Sequence, residues 1–501
     1  MIRTTAVRLA LILITLTSAA TTAGQDCFPA HKLRPRDGTG TQGFGTAVAL
    51  TQDGTLAVGA PSDATKGYGS GAVYLYNAAT GAEMFKIYPS QPLRGSYFGQ
   101  SIAIDGSQLA VAAPQYDHVA PQAGAVFVFD VNSGAELFAF KPGDLEYLDR
   151  FGSALDMAND RLIASSTGDT DPGTAYLYDL TSGDLIHTLL PDASRAGSMF
   201  AQSVAINDTG IVAVGDSTDR LSDPTPGAVH LYDGSTGELM QRILSPLPEG
   251  DGGFGSTLAM NDTYLVVGAP WSNMYSIQAG AVFVYSISDG SLQFELIPDS
   301  REAYKRFGWD LEIVDDVVYV AAPGNTSIDE RAYAFDLKTA NRLRRFQPAS
   351  ANMYGDLAYD LAAAGDQLVL GAERESGYSG VAAGSAYIYD LTDCARRLIL
   401  DLADVRCPAR GPIQFKVHGG GVGEVALVYS TGGSGSFTIP NGQTCAGVRL
   451  DLAAPVRLLT VTSGDPAIID IPSLHPGVCG HVIVQAIDTD NCLTSNVIVV
   501  E

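Results

Sequence analysis

Residues 44–61 read FGTAVALTQDGTLAVGAP, and this stretch determines the predicted fold. Two apolar runs, AVAL and TLAVGA, flank a polar break that contains Asp53-Gly54. Short runs rich in Val and Leu on either side of an Asp-Gly pair are typical of antiparallel strands joined by a tight turn. After a polar loop, the pieces GAVYLY, NAATGA and EMFKIYP continue in the same style to Pro89. The unit therefore predicts an antiparallel sheet of four strands.

The same unit recurs along the chain. An aromatic residue followed by a small one marks each copy, at Phe44-Gly45, Phe98-Gly99, Phe151-Gly152, Phe200-Ala201, Phe254-Gly255, Phe307-Gly308 and Tyr354-Gly355. One such sheet cannot bury both of its faces, whereas sheets arranged radially cover one another. Seven copies therefore predict a seven-bladed β-propeller. We expect each aromatic side chain to fill the gap between blades and each small residue to permit close backbone approach.

These motifs resemble the FG-GAP repeat family, whose best-known members are the propellers of integrin α-chains. The second motif of that family is intact at Gly59-Ala60-Pro61 and Gly268-Ala269-Pro270, and it is altered in the other copies. The resemblance implies an extracellular protein that works in binding or adhesion.

The resemblance also raises the question of calcium, which FG-GAP domains commonly hold in a loop between the first and second strands. The corresponding loops here, such as TQDG and NDTG, lack the alternating carboxylates that a calcium loop requires. We therefore predict no cofactor and no metal site. Asp169, Asp171, Asp488 and Asp490 are weak calcium candidates, because each pair of acids lacks the rest of a coordination shell.

The start of the chain predicts export. Arg3 and Arg8 form a basic beginning, an apolar run follows from Leu9 to Leu16, and small residues lead to Ala23. This order is typical of a secretory signal peptide, which we assign to residues 1–24. The apolar run is too short to span a bilayer, and no second run of spanning length follows. We therefore predict a secreted protein that is extracellular or lies at the cell surface.

Composition excludes some partners. Acidic residues outnumber basic ones by 55 to 30, giving a net charge of −25. Nucleic acid and anionic lipid both require basic surfaces, so neither is expected as a partner. Hydrophobic residues make up 46% of the chain and charged ones 17%, which excludes a disordered acidic chain and favours packed domains.

The N-terminal segment is predicted to close the ring. In copy two, Gly134 lies eight positions before Pro142, and the predicted fourth strand lies between them. Cys27 likewise lies eight positions before Pro35, so residues 28–35 resemble a fourth strand, although no first three strands precede it in the sequence. We assign this strand to blade seven, and we assign residues 27–394 to the propeller. In the repeat frame Cys394 lies where Gly183 lies in copy three, so a Cys27–Cys394 disulfide is expected at the junction. The alternative is that residues 395–402 form the outer strand instead.

Residues 395–501 form a separate C-terminal module in this interpretation. Short apolar runs alternate with glycine clusters, which favours a small β-sandwich resembling immunoglobulin or fibronectin type III domains. Four cysteines can form two disulfides in three ways, and the preferred one joins Cys479 to Cys492 and Cys407 to Cys445. An even count of six cysteines in an exported chain favours disulfides over a metal site.

The candidate binding residues lie on loops. In a four-stranded meander the loops after the second and fourth strands open at the same end of the ring, and here they are long and carry aromatic residues. The candidates are Tyr68, Tyr116, His118, Trp271, Tyr275 and Tyr378. Several of these side chains have an alternative interpretation, in which they cap the hydrophobic core.

No catalytic motif is present, since G-x-S-x-G, H-E-x-x-H and G-x-x-x-x-G-K are all missing. We therefore predict a non-catalytic protein that binds an extracellular protein or glycan through these loops. Two alternatives remain open. One is a propeller hydrolase or lyase with carboxylates at the channel mouth, and the other is an architectural component of the cell surface.

Overall fold

The computed structural model describes residues 27, 29–35, 43–168, 172–191, 199–218, 227–247, 253–298, 302–324, 331–347, 357–375 and 384–392 in full, and residues 25–26 by their backbone. For residues 399–500 it describes the backbone of ten strands. The described residues form β-strands and contain no helix. The predicted signal peptide, residues 1–24, lies outside the described residues.

Seven antiparallel sheets, which we call blades one to seven, repeat along residues 48–390. The first strand of each blade follows the aromatic–small pair or its equivalent, except in blade four, where the strand begins with that pair. The first strands are β3 (Val48–Leu50), β7 (Ile102–Asp105), β11 (Leu155–Ala158), β15 (Phe200–Ile206), β19 (Thr257–Met260), β23 (Leu311–Val314) and β27 (Leu361–Ala364). The second strands are β4 (Thr55–Ala60), β8 (Gln108–Ala113), β12 (Arg161–Ser166), β16 (Ile211–Asp216), β20 (Tyr264–Ala269), β24 (Val317–Ala322) and β28 (Gln367–Ala372).

The outer half of each blade contains the third and fourth strands. The third strands are β5 (Ala72–Asn77), β9 (Ala125–Asp130), β13 (Thr174–Asp179), β17 (Ala228–Asp233), β21 (Ala281–Ser286), β25 (Arg331–Asp336) and β29 (Ser385–Asp390). The fourth strands of the first six blades are β6 (Ala82–Ile87), β10 (Glu136–Phe140), β14 (Leu185–Leu189), β18 (Leu239–Leu244), β22 (Leu292–Leu296) and β26 (Arg342–Phe346). The second and third strands are buried along most of their length, whereas the fourth strands consist mostly of half-buried and exposed residues.

The blades form a closed ring. The first strand of each blade packs against the first strand of the next, and β27 of blade seven packs against β3 of blade one. Phe98 lies beside Gly71 of the preceding blade in a parallel bridge, and Phe44 of blade one makes the same bridge to Gly384 of blade seven. This geometry is a seven-bladed β-propeller, in which the first strands surround the central channel.

The repeated aromatic residue is a core residue, as expected from packing. Phe98 is fully buried and makes edge-to-face contacts with Phe127 and Phe129 of the third strand of its own blade, at ring-centroid distances of 5.8 Å each. Across the ring the fully buried members are Phe44, Phe98, Phe151, Phe200 and Phe254, and Phe307 is 1% exposed.

The seventh copy begins three residues later than the sequence pattern indicates. The buried pair that precedes β27 is Leu357-Ala358, and Ala358 has the left-handed φ of 61° that Ala201 shows with 64° in copy four. Tyr354-Gly355 lies outside the described residues. The assignment of Tyr354-Gly355 was wrong because a tyrosine and a glycine satisfied the sequence pattern, whereas the packing position takes an apolar residue followed by a small one.

The N-terminal segment completes the ring. β2 (His31–Leu33) pairs antiparallel with β29 and is the fourth strand of blade seven. β1 (Gln25–Cys27) pairs in parallel with β26 and adds a fifth strand to blade six. The segment therefore spans two blades at the point where the ends of the ring meet.

The C-terminal residues form further sheets. One contains β30 (Ile399–Ala403), β31 (Ile413–His418) and β36 (Ala467–Ile471), and a hairpin contains β33 (Ser434–Thr438) and β34 (Arg449–Leu452). The largest contains β32 (Gly423–Ser430), β35 (Val456–Ser463), β37 (Val482–Asp488), β38 (Leu493–Thr494) and β39 (Ile498–Val500). An all-β module is consistent with these strands, and the immunoglobulin-like sandwich stays a prediction.

Candidate functional site

Tyr68 is the most exposed of the predicted aromatic residues. Its side chain is 69% exposed on the loop between β4 and β5, and the guanidinium of Arg94 lies 5.6 Å from its ring centroid. Arg94 belongs to the loop that leads to the next blade, so both kinds of loop meet at this end of the ring. We call this end the loop face.

Tyr116 is a core residue, which corrects its assignment as a surface aromatic. It is 3% exposed, packs edge-to-face on Phe127 at 5.5 Å, and its hydroxyl donates to the carbonyl of Gln91 at 3.4 Å. The sequence pattern could not distinguish it from an exposed residue, because a loop aromatic next to a strand can fold back over the core.

His118 and Tyr275 are half-buried and hold their own loops. The Nε2 atom of His118 lies 2.8 Å from the carbonyl oxygen of Gly124, and burial lowers the pKa of this histidine. The hydroxyl of Tyr275 donates to the carboxylate of Glu295 on β22. Tyr378 lies outside the described residues.

Trp271 belongs to a row of aromatic residues on three consecutive blades. It comes from the loop after β20 and packs edge-to-face on Trp309 of blade six, with ring centroids 5.3 Å apart. Trp309 in turn lies 5.5 Å from the ring of Tyr359 of blade seven, and its indole nitrogen donates to the carbonyl of Tyr359 at 3.0 Å. All three side chains remain partly exposed. We call Trp271, Trp309 and Tyr359 the aromatic row.

Arg306 lies on this row. Its guanidinium carbon is 5.0 Å from the Trp271 ring centroid and 5.3 Å from that of Trp309, so the cation faces two aromatic rings. Such contacts are favourable because the face of an aromatic ring carries negative potential. Trp, Tyr and Arg together are also the residue types that dominate binding energy at protein interfaces.

Two carboxyl groups follow the aromatic row directly in sequence. Asp310 comes after Trp309, and Asp360 comes after Tyr359. The Oδ2 atom of Asp310 accepts from the backbone of Leu361 at 2.7 Å, and that of Asp360 accepts from the backbone of Val48 at 2.6 Å. Each carboxyl group therefore bridges its own blade to the next one.

The same two carboxyl groups are also paired with each other through a side-chain hydrogen bond, in which one shared proton can lie on either group. Burial raises the pKa of Asp310 to about 6, and it raises the pKa of Asp360 well above its ordinary value, with the charge of Asp310 as a further cause. Two adjacent carboxylates cannot both ionise at low cost, so the pair retains a proton to higher pH than a free carboxyl group.

Two further acids extend this group along the first strands. Burial raises the pKa of Asp156 in β11 to about 7, although its Oδ2 accepts from the backbone of Ile206 at 2.8 Å. Burial also raises the pKa of Glu312 in β23, and the charges of Asp156 and Asp310 contribute. Each acid retains partial solvent access but is enclosed by protein atoms, which is what a narrow channel produces.

Sequence reasoning missed Trp309, Tyr359, Asp310 and Asp360, because it took binding residues only from loops. A signal was available, since the chain has two tryptophans and both directly follow a repeat motif: Trp271 follows Gly-Ala-Pro, and Trp309 follows Phe-Gly. The displaced frame of the seventh copy hid the correspondence between Trp309-Asp310 and Tyr359-Asp360.

Only some of the residues predicted to bind a cation or to form disulfides lie within the described part of the chain. Asp169, Asp171 and Asp490 lie outside the described residues, and Asp488 is described only as the last residue of β37. Within the described part of the chain, no three His, Cys, Asp or Glu side chains come together as they would around a metal ion. Cys27 is disulfide-bonded and fully buried. The other five cysteines, Cys394, Cys407, Cys445, Cys479 and Cys492, lie outside the described residues, so their pairing stays a prediction.

The described residues contain no helix long and apolar enough to cross a membrane. A search of curated protein sequences gave no significant match. Among solved structures, the chain is similar to one titled "Crystal structure of RRP9 WD40 repeats", with a TM-score of 0.51, 13% sequence identity, and coverage of 73% of this chain and 99% of that one. At this identity the similarity concerns the fold alone, and it agrees with a propeller.

Two segments of the chain match a known repeat family. Residues 30–76 and 82–129 match the FG-GAP repeat family, in two tandem positions. These ranges include most of blade one, the first three strands of blade two and the N-terminal strand β2 that completes blade seven. The chain therefore contains FG-GAP repeats in two tandem positions, and they lie in a seven-bladed β-propeller that is consistent with the integrin α-chain type.

Proposed function

We propose that this chain is a secreted, non-catalytic binding or adhesion protein, which holds an extracellular protein or glycan at its loop face. The observation that carries this proposal is the aromatic row with Arg306 above it. Partly exposed Trp and Tyr side chains offer large apolar contact area together with a polar atom, and Arg supplies several hydrogen-bond donors.

The extracellular location has independent support. FG-GAP repeats are typical of extracellular proteins, and residues 1–24 have the pattern of a signal peptide. A disulfide at Cys27 also favours an oxidising compartment, because cytosolic thiols are kept reduced.

Binding can be tested with the full chain on glycan arrays and in pull-downs of extracellular proteins. We expect a ligand whose binding is reduced by Trp271→Ala and retained by Tyr147→Ala. Tyr147 is the matched control, because it is 61% exposed on a loop before Phe151, away from the aromatic row. Thermal melting verifies that both variants fold. Failure to capture any ligand, or equal binding by both variants, would contradict the proposal.

The Asp310–Asp360 pair favours a second candidate function, a hydrolase or lyase acting at the channel mouth. A carboxyl group whose pKa is raised can act as a general acid near neutral pH. The test is a screen of the full chain against polysaccharide and peptide substrates. Turnover that is abolished by Asp310→Asn, with unchanged ligand binding, would establish the enzyme and displace the non-catalytic proposal.

A further inference from the structure

Arg306 is held in a fixed position by its backbone as well as by the tryptophans. It has a left-handed φ of 53°, and its backbone nitrogen donates to the carbonyl of Gln278 at 3.1 Å. Arg150 occupies the same place three blades earlier, with a φ of 52° and a bond of 3.1 Å from its backbone nitrogen to the carbonyl of Gln122. The two arginines therefore share one backbone geometry at equivalent steps of the ring.

The surroundings of the two arginines differ in sequence. Trp271 follows Gly268-Ala269-Pro270, and the equivalent residue near Arg150 is Gln115, after Ala112-Ala113-Pro114. Trp309 follows Phe307-Gly308, and its equivalent is Ser153, after Phe151-Gly152. Blades five and six thus carry an aromatic site built around an arginine that the repeat already provides.

The donors of Arg306 are not used within the described part of the chain. No described carboxylate or carbonyl accepts from its guanidinium, and the Nε atom is buried without a hydrogen-bond partner. Buried donors in proteins are nearly always paired, and a guanidinium matches the two oxygens of a carboxylate. Arg306 therefore has the chemistry of a site that is completed by an anionic oxygen group.

We propose that the ligand of the aromatic row is a uronate-containing polysaccharide, whose carboxylate pairs with Arg306 while its sugar rings stack on Trp309 and Trp271. This inference rests on the function proposed above. The apolar C–H face of a pyranose ring complements an aromatic face, and a carboxylate attached to that ring lies beside the stacked face. A row on three consecutive blades offers successive stacking positions to a repeating chain.

The net negative charge of the protein means that a polyanion must be recognised through short-range contacts. The net charge of −25 opposes a polyanion at long range, so affinity must come from contacts at the row itself. The nearest acids in sequence, Asp310 and Asp360, share a proton through their hydrogen bond, which reduces their repulsion of an anionic ligand. A neutral carboxyl group can also donate to a sugar hydroxyl.

The test is calorimetric titration of the full chain with hexagalacturonate, its fully methyl-esterified form, a neutral glucose hexasaccharide and hexaglutamate. We expect hexagalacturonate to bind at least about tenfold more tightly than the methyl ester and the neutral sugar, because only its carboxylate pairs with Arg306. Hexaglutamate carries the same charge without the sugar ring, and we expect no binding.

The variants are Arg306→Gln and its matched control Arg150→Gln. Arg306→Gln should weaken hexagalacturonate binding about tenfold or more and leave binding of the neutral sugar unchanged, and Arg150→Gln should change neither. The methyl ester keeps the test valid if Arg306→Gln fails to fold, since it removes the charge from the ligand alone.

Each other outcome counts against a specific claim. Equal affinity for the acid and its methyl ester, or equal loss in the two variants, overturns the uronate inference. Binding of hexaglutamate as tight as hexagalacturonate identifies a peptide carboxylate and also overturns it. A neutral glycan or a protein that binds through Trp271 without any uronate affinity leaves the proposed binding function standing, whereas the absence of every ligand removes both.

Discussion

Arg34 and Glu375 lie 341 positions apart in sequence, yet the guanidinium Nη2 of Arg34 is 3.2 Å from the carboxylate Oε1 of Glu375. Arg34 directly follows the N-terminal strand β2, and Glu375 follows the second strand of blade seven. Lys32 of β2 pairs with the same oxygen, and Tyr387 donates to the other oxygen at 2.7 Å. The two ends of the propeller are therefore joined by one buried carboxylate, which is 5% exposed.

Removing the charge of this carboxylate should destabilise the junction between the two ends of the propeller. Glu375→Gln removes the negative charge that faces Lys32 and Arg34, and we expect a loss of about 3 kcal/mol in the free energy of unfolding, measured by urea denaturation. Asp316→Asn is the control, because it breaks an ion pair with Lys338 in which both side chains are about half exposed. We expect that control to cost less than about 0.5 kcal/mol. Similar losses in both variants would show that the buried pair has no special role.

Truncating a repeated phenylalanine should destabilise the contact between two blades. Phe98→Ala removes a fully buried ring, and we expect a loss of about 3–5 kcal/mol in the free energy of unfolding. Leu137→Ala is the control, since Leu137 is 43% exposed on β10 and should have little effect. If Phe98→Ala unfolded at the same urea concentration as the wild-type chain, the role of this position in blade packing would be refuted.

Substitutions at two glycines can distinguish the cost of backbone strain from the cost of a steric clash. Gly71 and Gly95 have φ angles of 77° and 74°, but a Cβ atom on Gly71 would lie 2.0 Å from the carbonyl oxygen of Phe98, whereas one on Gly95 meets nothing within 4 Å. Gly95→Ala should cost about 1 kcal/mol from the left-handed backbone alone. Gly71→Ala should cost several times more in differential scanning calorimetry. Equal melting temperatures for the two variants would contradict a close approach of the blades.

Asp156 should make the propeller less stable as the pH rises. Burial, together with the charge of Asp105, raises the pKa of Asp156 from 3.8 to about 7. Between these values the folded protein retains a proton that the unfolded chain has lost, so this contribution to stability is complete below about pH 4 and is lost by about pH 7. Asp156→Asn keeps an acceptor oxygen for Ile206 without a charge. It should therefore raise stability by about 1–3 kcal/mol at pH 8 and leave it unchanged at pH 4.

The control for this prediction is Asp184→Asn, which changes an exposed carboxylate in the turn before β14. Its melting temperature should follow that of the wild-type chain at both pH values. A stabilising effect of Asp156→Asn that is the same at pH 4 and pH 8 would show that the charge of Asp156 is not the cause.

The disulfide at Cys27 should join the N-terminal segment to blade seven. Cys27 packs in one hydrophobic cluster with Tyr389 and Leu391, and the predicted partner Cys394 is three residues further along the chain. Peptide mapping without reduction should recover a Cys27–Cys394 linked peptide. Cys27→Ser should lower the free energy of unfolding by about 2–5 kcal/mol, because the bond closes a long loop. A linked peptide that joins Cys27 to any other cysteine would refute the pairing.

The candidate site was less accessible to sequence reasoning than the fold. Trp271 was identified because it lies in a loop of the expected kind. Trp309 and Asp310 follow a repeat motif that had been explained by packing, and Asp360 was hidden by a frame displaced by three residues. Tyr116 lies in the same kind of loop as the exposed Tyr68 but packs in the core, since the direction of a loop side chain depends on neighbours that are remote in sequence.

The sequence by itself determined the strands, their number per unit and the radial arrangement of seven units. These properties arise from local alternation of apolar runs and turn residues, repeated until the pattern is unmistakable. Only the tertiary structure decided which side chains meet at the loop face and in the channel. Trp271, Arg306 and Tyr359 belong to different stretches of the chain, and the packing of consecutive blades brings them to one place. The pKa values of Asp156 and Asp310 likewise depend on burial by neighbouring blades, which no local pattern of residues specifies.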